Sequence, residues 1–204
     1  MIETDLPFRT NGDPQTGHPR EIGRLLGEGL LVPVLLDVVV AAGAPSDQNL
    51  RARALSLVVP DRLHDCGAVV AQLAAAWLWC GGAPPPLVDV VVRPGRGRVL
   101  AASHLVRHER RMPPKDAVVI SPPGARGIAV TTGARTAADL LRTLPEFTAL
   151  QAAVDVATAT GADAREVAAC LELMPRARGV ARARRLLAAW PGAGDGLPGA
   201  IEPA

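Results

Sequence analysis

His104 and His108 lie four residues apart, with Glu109 directly after the second. On a helix or a strand this spacing puts both imidazoles on one side, so a metal is the first chemistry to consider. A metal needs a third ligand in register, and Glu109 points across if the segment is a strand. The pair therefore reads as two half-exposed sheet histidines. Ser103 and His104 are neighbours, but a nucleophilic serine needs a strained turn such as G-x-S-x-G, which the chain lacks. Gly95-Arg96-Gly97 carries no further part of a dinucleotide or P-loop fingerprint and reads as a turn. Cys66, Cys80 and Cys170 are odd in number and far apart, with no zinc spacing, and read as small hydrophobes in a reducing cytosol. No pair of carboxylates stands out. We therefore assign no catalytic residue, metal ligand or cofactor, with an enzyme of unrecognised type left as an outlying alternative.

Charge is more informative. Lys115 is the single lysine among 22 basic residues, a skew that marks a G+C-rich genome and weakens each arginine as a sign of phosphate binding. Residues 93–115 carry Arg93, Arg96, Arg98, Arg107, Arg110, Arg111 and Lys115 against Glu109, a net +6. Near the C-terminus Arg178, Arg182 and Arg185 fall at i, i+4 and i+7, flanked by Arg176 and Arg184. Such a stripe pairs with phosphates or with an acidic protein surface, or is simply a solvated helix face. Residues 1–60 hold five arginines against seven acids, net −2, which is poor material for gripping a DNA backbone.

Composition bounds the rest. With 204 residues, 49% hydrophobic and 21% charged, the chain buries a core sufficient for one sizeable domain or two small ones. Aromatics make up 2%, with no tyrosine, which argues against base-stacking modules and leaves Ala, Val and Leu to fill the core. Glu3 and Asp5 sit where a signal peptide would be basic then apolar. The longest apolar stretch, 66–82, is interrupted by Gln72 and ends in Gly81-Gly82, too short and broken to span a bilayer. A cytoplasmic protein without a membrane segment is expected.

The elements follow from periodicity and punctuation. Residues 1–18 read as a loose, flexible arm. Pro19 opens a helix to about Gly29, followed by a hairpin over 30–40 whose tip is Leu35-Leu36-Asp37 and whose Pro33 marks an edge strand. Ser46 is the expected N-cap of a helix over 47–59. Next come a short strand at Val69-Val70 and a helix over 72–80. Strands are expected at Leu87–Val92, Val99–Ala101, His104–His108, Ala117–Ile120 and Ile128–Thr131, cut by Gly and Pro as in a compact antiparallel sheet. The last third is helical, with Thr132, Pro145, the Asp163/Glu166 capping box and 177–190 as its landmarks. Residues 191–204 read as a disordered tail. The order predicts an α+β fold: a helix–hairpin over 19–62, a small, mostly antiparallel sheet, and a C-terminal helical cap completing a 63–190 unit.

Several stretches carry a family likeness. They are Arg20–Val40, Gly67-Ala68-Val69-Val70 leading into Ala74-Ala75-Ala76-Trp77-Leu78, and Val88-Asp89-Val90-Val91-Val92-Arg93-Pro94-Gly95. Leu105-Val106-Arg107-His108-Glu109 and Met112-Pro113-Pro114-Lys115-Asp116-Ala117-Val118 continue the set, and Ile128 through Leu140 resembles "G-[IV]-x-V-T-[ST]-x-x-R-T-x-x-D-L". Over about residues 20–190 the chain resembles the region shared by AbiEi-type antitoxins of type IV toxin–antitoxin systems and by actinobacterial proteins in which it precedes a Vsr-like endonuclease domain. The resemblance implies a winged-helix front end that binds DNA and represses its operon, and a nucleotidyltransferase-like toxin as partner. It makes Arg20 and Arg24 the DNA-facing candidates, backed by Arg96, Arg98, Arg107, Arg110 and Arg111 and by Arg178, Arg182 and Arg185. Thr132, Arg135 and Asp139 are expected to be structural: a helix cap and an i, i+4 pair, or ties to a neighbouring loop. The chain departs from the pattern in having one helix before the hairpin and an uncharged-then-acidic tip, Leu35-Leu36-Asp37, where Arg-Arg-Gly is common. It also ends shortly after Trp190, leaving no room for the endonuclease domain. The expected function is a non-enzymatic antitoxin-like or transcription-regulator-like protein that binds DNA at its own promoter, a cognate toxin, or both. The alternative is a nuclease-less, DNA-binding-defective protein-interaction domain. Neither a membrane nor a small-molecule substrate is expected.

Overall fold

The computed structural model describes residues 7–10, 19–95 and 103–190. Its fold is α+β. Strand β1 (Phe8–Arg9), helix α1 (Pro19–Gly27) and the hairpin β2 (Leu31–Leu35) and β3 (Val38–Ala41) make a three-stranded antiparallel sheet in the order β1-β3-β2. Pro33 lies in β2, an edge of this sheet, where a missing N–H costs no ladder bond. The central strand β3 is buried through Val38, Val39 and Val40, as a strand covered on both faces must be. Phe8 and Arg9 pair with Val39 and Val38. The expected loose arm is therefore corrected at this point: an apolar residue packing on Ile22, Leu31 and Val39 anchors it.

Helices α2 (Gln48–Val58) and α3 (Asp61–Asp65) follow. The expected cap Ser46 gives way to Asp47, whose carboxylate accepts the Leu50 amide at 2.8 Å. Both residue types satisfy a free first-turn N–H, and composition alone does not choose between neighbours. The α3 turn, absent from the sequence reading, buries Leu63 in the main core.

The larger sheet has five strands, β4 (Val69–Ala71), β5 (Val88–Val92), β6 (Leu105–Glu109), β7 (Ala117–Ile120) and β8 (Ile128–Thr131), in the order β6-β5-β4-β8-β7. Four of the six described pairings in the two sheets are antiparallel, but β4–β8 and β5–β6 are parallel, so the larger sheet is evenly mixed. The Val99–Ala101 strand lies outside the described residues, as do Arg96, Arg98 and the tail over 191–204. Helix α4 (Gln72–Cys80) presents Ala74, Ala75, Trp77 and Leu78 to a core shared with α2, β4, β5 and β8. That core also holds Leu35 and Val38, so it runs across the expected boundary at 62/63.

Helices α5 (Gly133–Thr143), α6 (Glu146–Thr160), α7 (Ala164–Glu172) and α8 (Val180–Ala188) form the helical cap around a second core. Its residues are small, Ala137, Ala138, Ala149, Ala153 and Ala183 among them, so the helices approach closely. Gly133 shows how closely: a Cβ there would lie 1.8 Å from the Thr160 hydroxyl oxygen. None of the helices among the described residues is long and apolar enough to cross a membrane.

Candidate functional site

The sheet and the helical cap meet at a buried cluster of charges. Asp116 ends a 3-10 turn (Pro114–Asp116) just before β7, and its carbonyl accepts the Thr132 amide at 3.0 Å. Thr132 then starts α5, its hydroxyl accepting from the Arg135 amide at 3.4 Å. This cap places Arg135 in the first turn, aimed back at the sheet. Its guanidinium donates to Asp116 at 2.7 Å and, one helical turn on, to Asp139 at 3.1 Å. Arg135 is 1% exposed and Asp139 fully buried, so neither charge reaches water. Isolated, such charges would cost several kcal/mol each, which is why they occur here as a paired group.

Asp139 accepts two more guanidiniums. Arg110, just beyond β6, donates to Oδ2 at 3.0 Å, and Arg142, three residues along α5, donates to Oδ1 at 2.6 Å. Burial works against the charge of Arg135, but Asp139 and Asp116 outweigh it and its pKa is raised. For Arg110 burial wins, with Arg135 and Arg142 adding repulsion, and its pKa is lowered despite Asp139. Nearby Cys170 is buried, and burial, reinforced by Asp116, pushes its thiol up to about 11. A neutral thiol of this kind packs as a hydrophobe. The two threonines beside the group are closed as well: the Thr131 and Thr136 hydroxyls meet at 2.7 Å, and the Trp79 indole donates to the Thr131 carbonyl at 3.0 Å.

Arg110, an expected surface contact, is half-buried. One of its Nη nitrogens is directed at Asp139, with a quarter of the side chain still exposed. Asp116, by contrast, escapes sequence reasoning because its partner stands 19 residues away on another element.

The other arginines divide by what they meet. Arg20 and Arg24 are exposed on α1, and Arg24 pairs with Glu28 at 2.6 Å. Asp37 at the hairpin turn pairs with Arg9 at 2.7 Å. The helix–hairpin unit thus offers little unbalanced positive charge. Arg107 is exposed and pairs with Glu109, while Arg111 is exposed and meets no carboxylate among the described residues. The C-terminal stripe is corrected in part. Helix α8 begins at Val180, so Arg178 precedes it and shares no helix face with the other two. Arg182 is half-buried and donates to the Arg142 carbonyl; Arg185 is exposed, 3.5 Å from Glu146.

The two histidines do not converge. His104 lies 3.3 Å from the Val58 carbonyl, whereas His108 Nε2 lies 2.7 Å from Asp89 Oδ1 and 2.9 Å from the Gln72 amide. Parallel pairing of β5 and β6 puts Asp89 and His108 on the same sheet face. Gln72 reaches them from the junction of β4 and α4, at φ +54°, a strained value for a residue with a Cβ. Among the described residues no three His, Cys, Asp or Glu side chains gather as a metal would require. No family model matches this chain, and no curated protein matches it with significance.

Proposed function

We propose that this is a non-enzymatic, cytoplasmic antitoxin-like or transcription-regulator-like protein that binds a macromolecular partner. The partner is DNA of its own promoter, a cognate nucleotidyltransferase-like toxin, or both. The observation that carries this reading is a set of exposed guanidiniums, Arg20, Arg111 and Arg178, none of which meets a carboxylate among the described residues. Solvent-facing arginines without an internal partner are the groups a polyanion or an acidic protein surface neutralises. The buried charges of α5 tie the helical cap, which carries Arg178, to the larger sheet next to Arg111. The family likeness over about residues 20–190 adds the antitoxin class.

A second reading has its own support. The Arg24–Glu28 and Arg9–Asp37 pairs leave Arg20 as the one described arginine of the helix–hairpin unit without a carboxylate, which favours a protein-interaction domain whose DNA reader has decayed. A salt titration separates the two. A promoter fragment bound by phosphate contacts is released steeply as salt rises, and Arg111→Ala with Arg178→Ala weakens it. Absence of promoter binding, with co-purification of a toxin encoded next to this gene, selects the interaction domain. Failure of both experiments overturns the proposal.

A further inference from the structure

A cavity of about 370 Å³ opens where the C-terminal end of α5 meets the start of α8, lined by Arg142, Thr143, Arg178, Gly179 and Arg182. Three of these five residues are arginines and none is acidic. Their hydrogen bonds leave them partly unspent. Arg142 uses Nη1 on Asp139 and Nε on the Arg178 carbonyl, with no described partner for Nη2. Arg182 sends one nitrogen to the Arg142 carbonyl, while its Nε is buried with no partner among the described residues. The Arg178 guanidinium is exposed and has no described hydrogen bond. The exposed Arg178 guanidinium is the donor in this lining that an incoming oxygen meets first.

The backbone adds donors of the same sign. Helix α8 starts after Gly179 without a side-chain cap, and the amides of Ala181 and Arg182 have no described acceptor. The first-turn N–H groups of a helix carry its positive dipole end. Gly179 brings that end in: at φ +84°, a Cβ would sit 2.4 Å from the Arg142 carbonyl oxygen, so only glycine allows this approach.

We propose that this cavity binds a phosphate group. Guanidiniums give planar, charge-assisted donors to phosphate oxygens, and the absence of a lining carboxylate disfavours a cation. The inference goes beyond the macromolecular reading above, because the same phosphate chemistry is offered by a nucleic-acid backbone or by a free phosphorylated small molecule.

The test is titration of the full chain with inorganic pyrophosphate, followed by amide shifts in ¹⁵N–¹H spectra and by calorimetry. Saturable binding is expected, with the largest shifts at Gly179, Ala181 and Arg182. Arg178→Gln, whose side chain holds no described contact in the fold, should weaken binding about tenfold, the worth of one charge-assisted hydrogen bond. Arg62→Gln, at an exposed position of α3, should leave it unchanged. Displacement of pyrophosphate by a short DNA duplex assigns the source to nucleic acid; retention in the presence of duplex assigns it to a small phosphorylated molecule. No saturable shift at α8, or equal affinity in wild type and Arg178→Gln, overturns the proposal. Promoter binding can fail while pyrophosphate still binds, so this result and that of the functional proposal are separable.

Discussion

Asp139→Asn is the sharpest perturbation of the frame. The carboxylate is fully buried and accepts from three guanidiniums, two at Oδ2 and one at Oδ1. An asparagine accepts at one end only, so its NH₂ must face at least one arginine donor. Whichever way the amide turns, Arg135, 1% exposed, has no water to turn to and keeps only Asp116 as a counter-charge, whereas the Arg110 side chain is 25% exposed and can partly rehydrate. Leaving a buried charge uncompensated costs about 3–5 kcal/mol. For a domain of this size about 1 kcal/mol moves Tm by roughly 2–4 °C, so the expected fall is on the order of 6–20 °C. Urea denaturation followed by circular dichroism measures the same loss at fixed temperature, with an unchanged m-value if the transition stays two-state. The exposed Arg126–Asp61 pair supplies the control: Asp61→Asn should leave the urea midpoint nearly unchanged. A loss below about 1 kcal/mol for Asp139→Asn would show that the buried charges do not act together, and the argument for a locked frame would fail.

Three further outcomes follow. Gly133→Ala should destabilise by about 1–3 kcal/mol, because its Cβ would fall 1.8 Å from the Thr160 hydroxyl oxygen, and adding Thr160→Ala should recover part of that loss in thermal melts. Cys170, with its pKa pushed up to about 11, should resist thiol reagents at pH 8 in the native protein and react only on unfolding, as mass spectrometry of labelled peptides would show. The sign of its linkage is also fixed. A thiol raised from 9.0 to about 11 in the folded state contributes stability that is complete below pH 9 and lost as pH climbs towards 11, a loss that Cys170→Ala should remove from the pH profile.

Local patterns carried much of this fold. The i, i+4 spacing of Arg135 and Asp139 and the capping position of Thr132 are written within eight residues, and both interactions depend only on helix geometry. The Asp163/Glu166 box is equally local, its two reciprocal hydrogen bonds measuring 2.8 and 3.1 Å. What escaped was set by long-range partners. Arg110 looks like one of many arginines in a basic segment, and only Asp139, 29 residues on, turns it inward. Asp116 needs Arg135 in the same way. The parallel pairings of β4 with β8 and β5 with β6 leave no trace in short valine-rich runs, which read alike in either direction. The Arg178 and Arg182 cavity was visible only as a stripe, since the glycine that breaks it at 179 also brings the two side chains around one opening.

Binding of the upstream DNA across a salt series tests most directly the proposal that the exposed arginines engage DNA phosphates. If three to four phosphates are neutralised, the plot of log affinity against log salt should fall with a slope of about −3, shallower by about 1 in Arg178→Ala. A slope near zero, or one that Arg178→Ala leaves untouched, would contradict the claim.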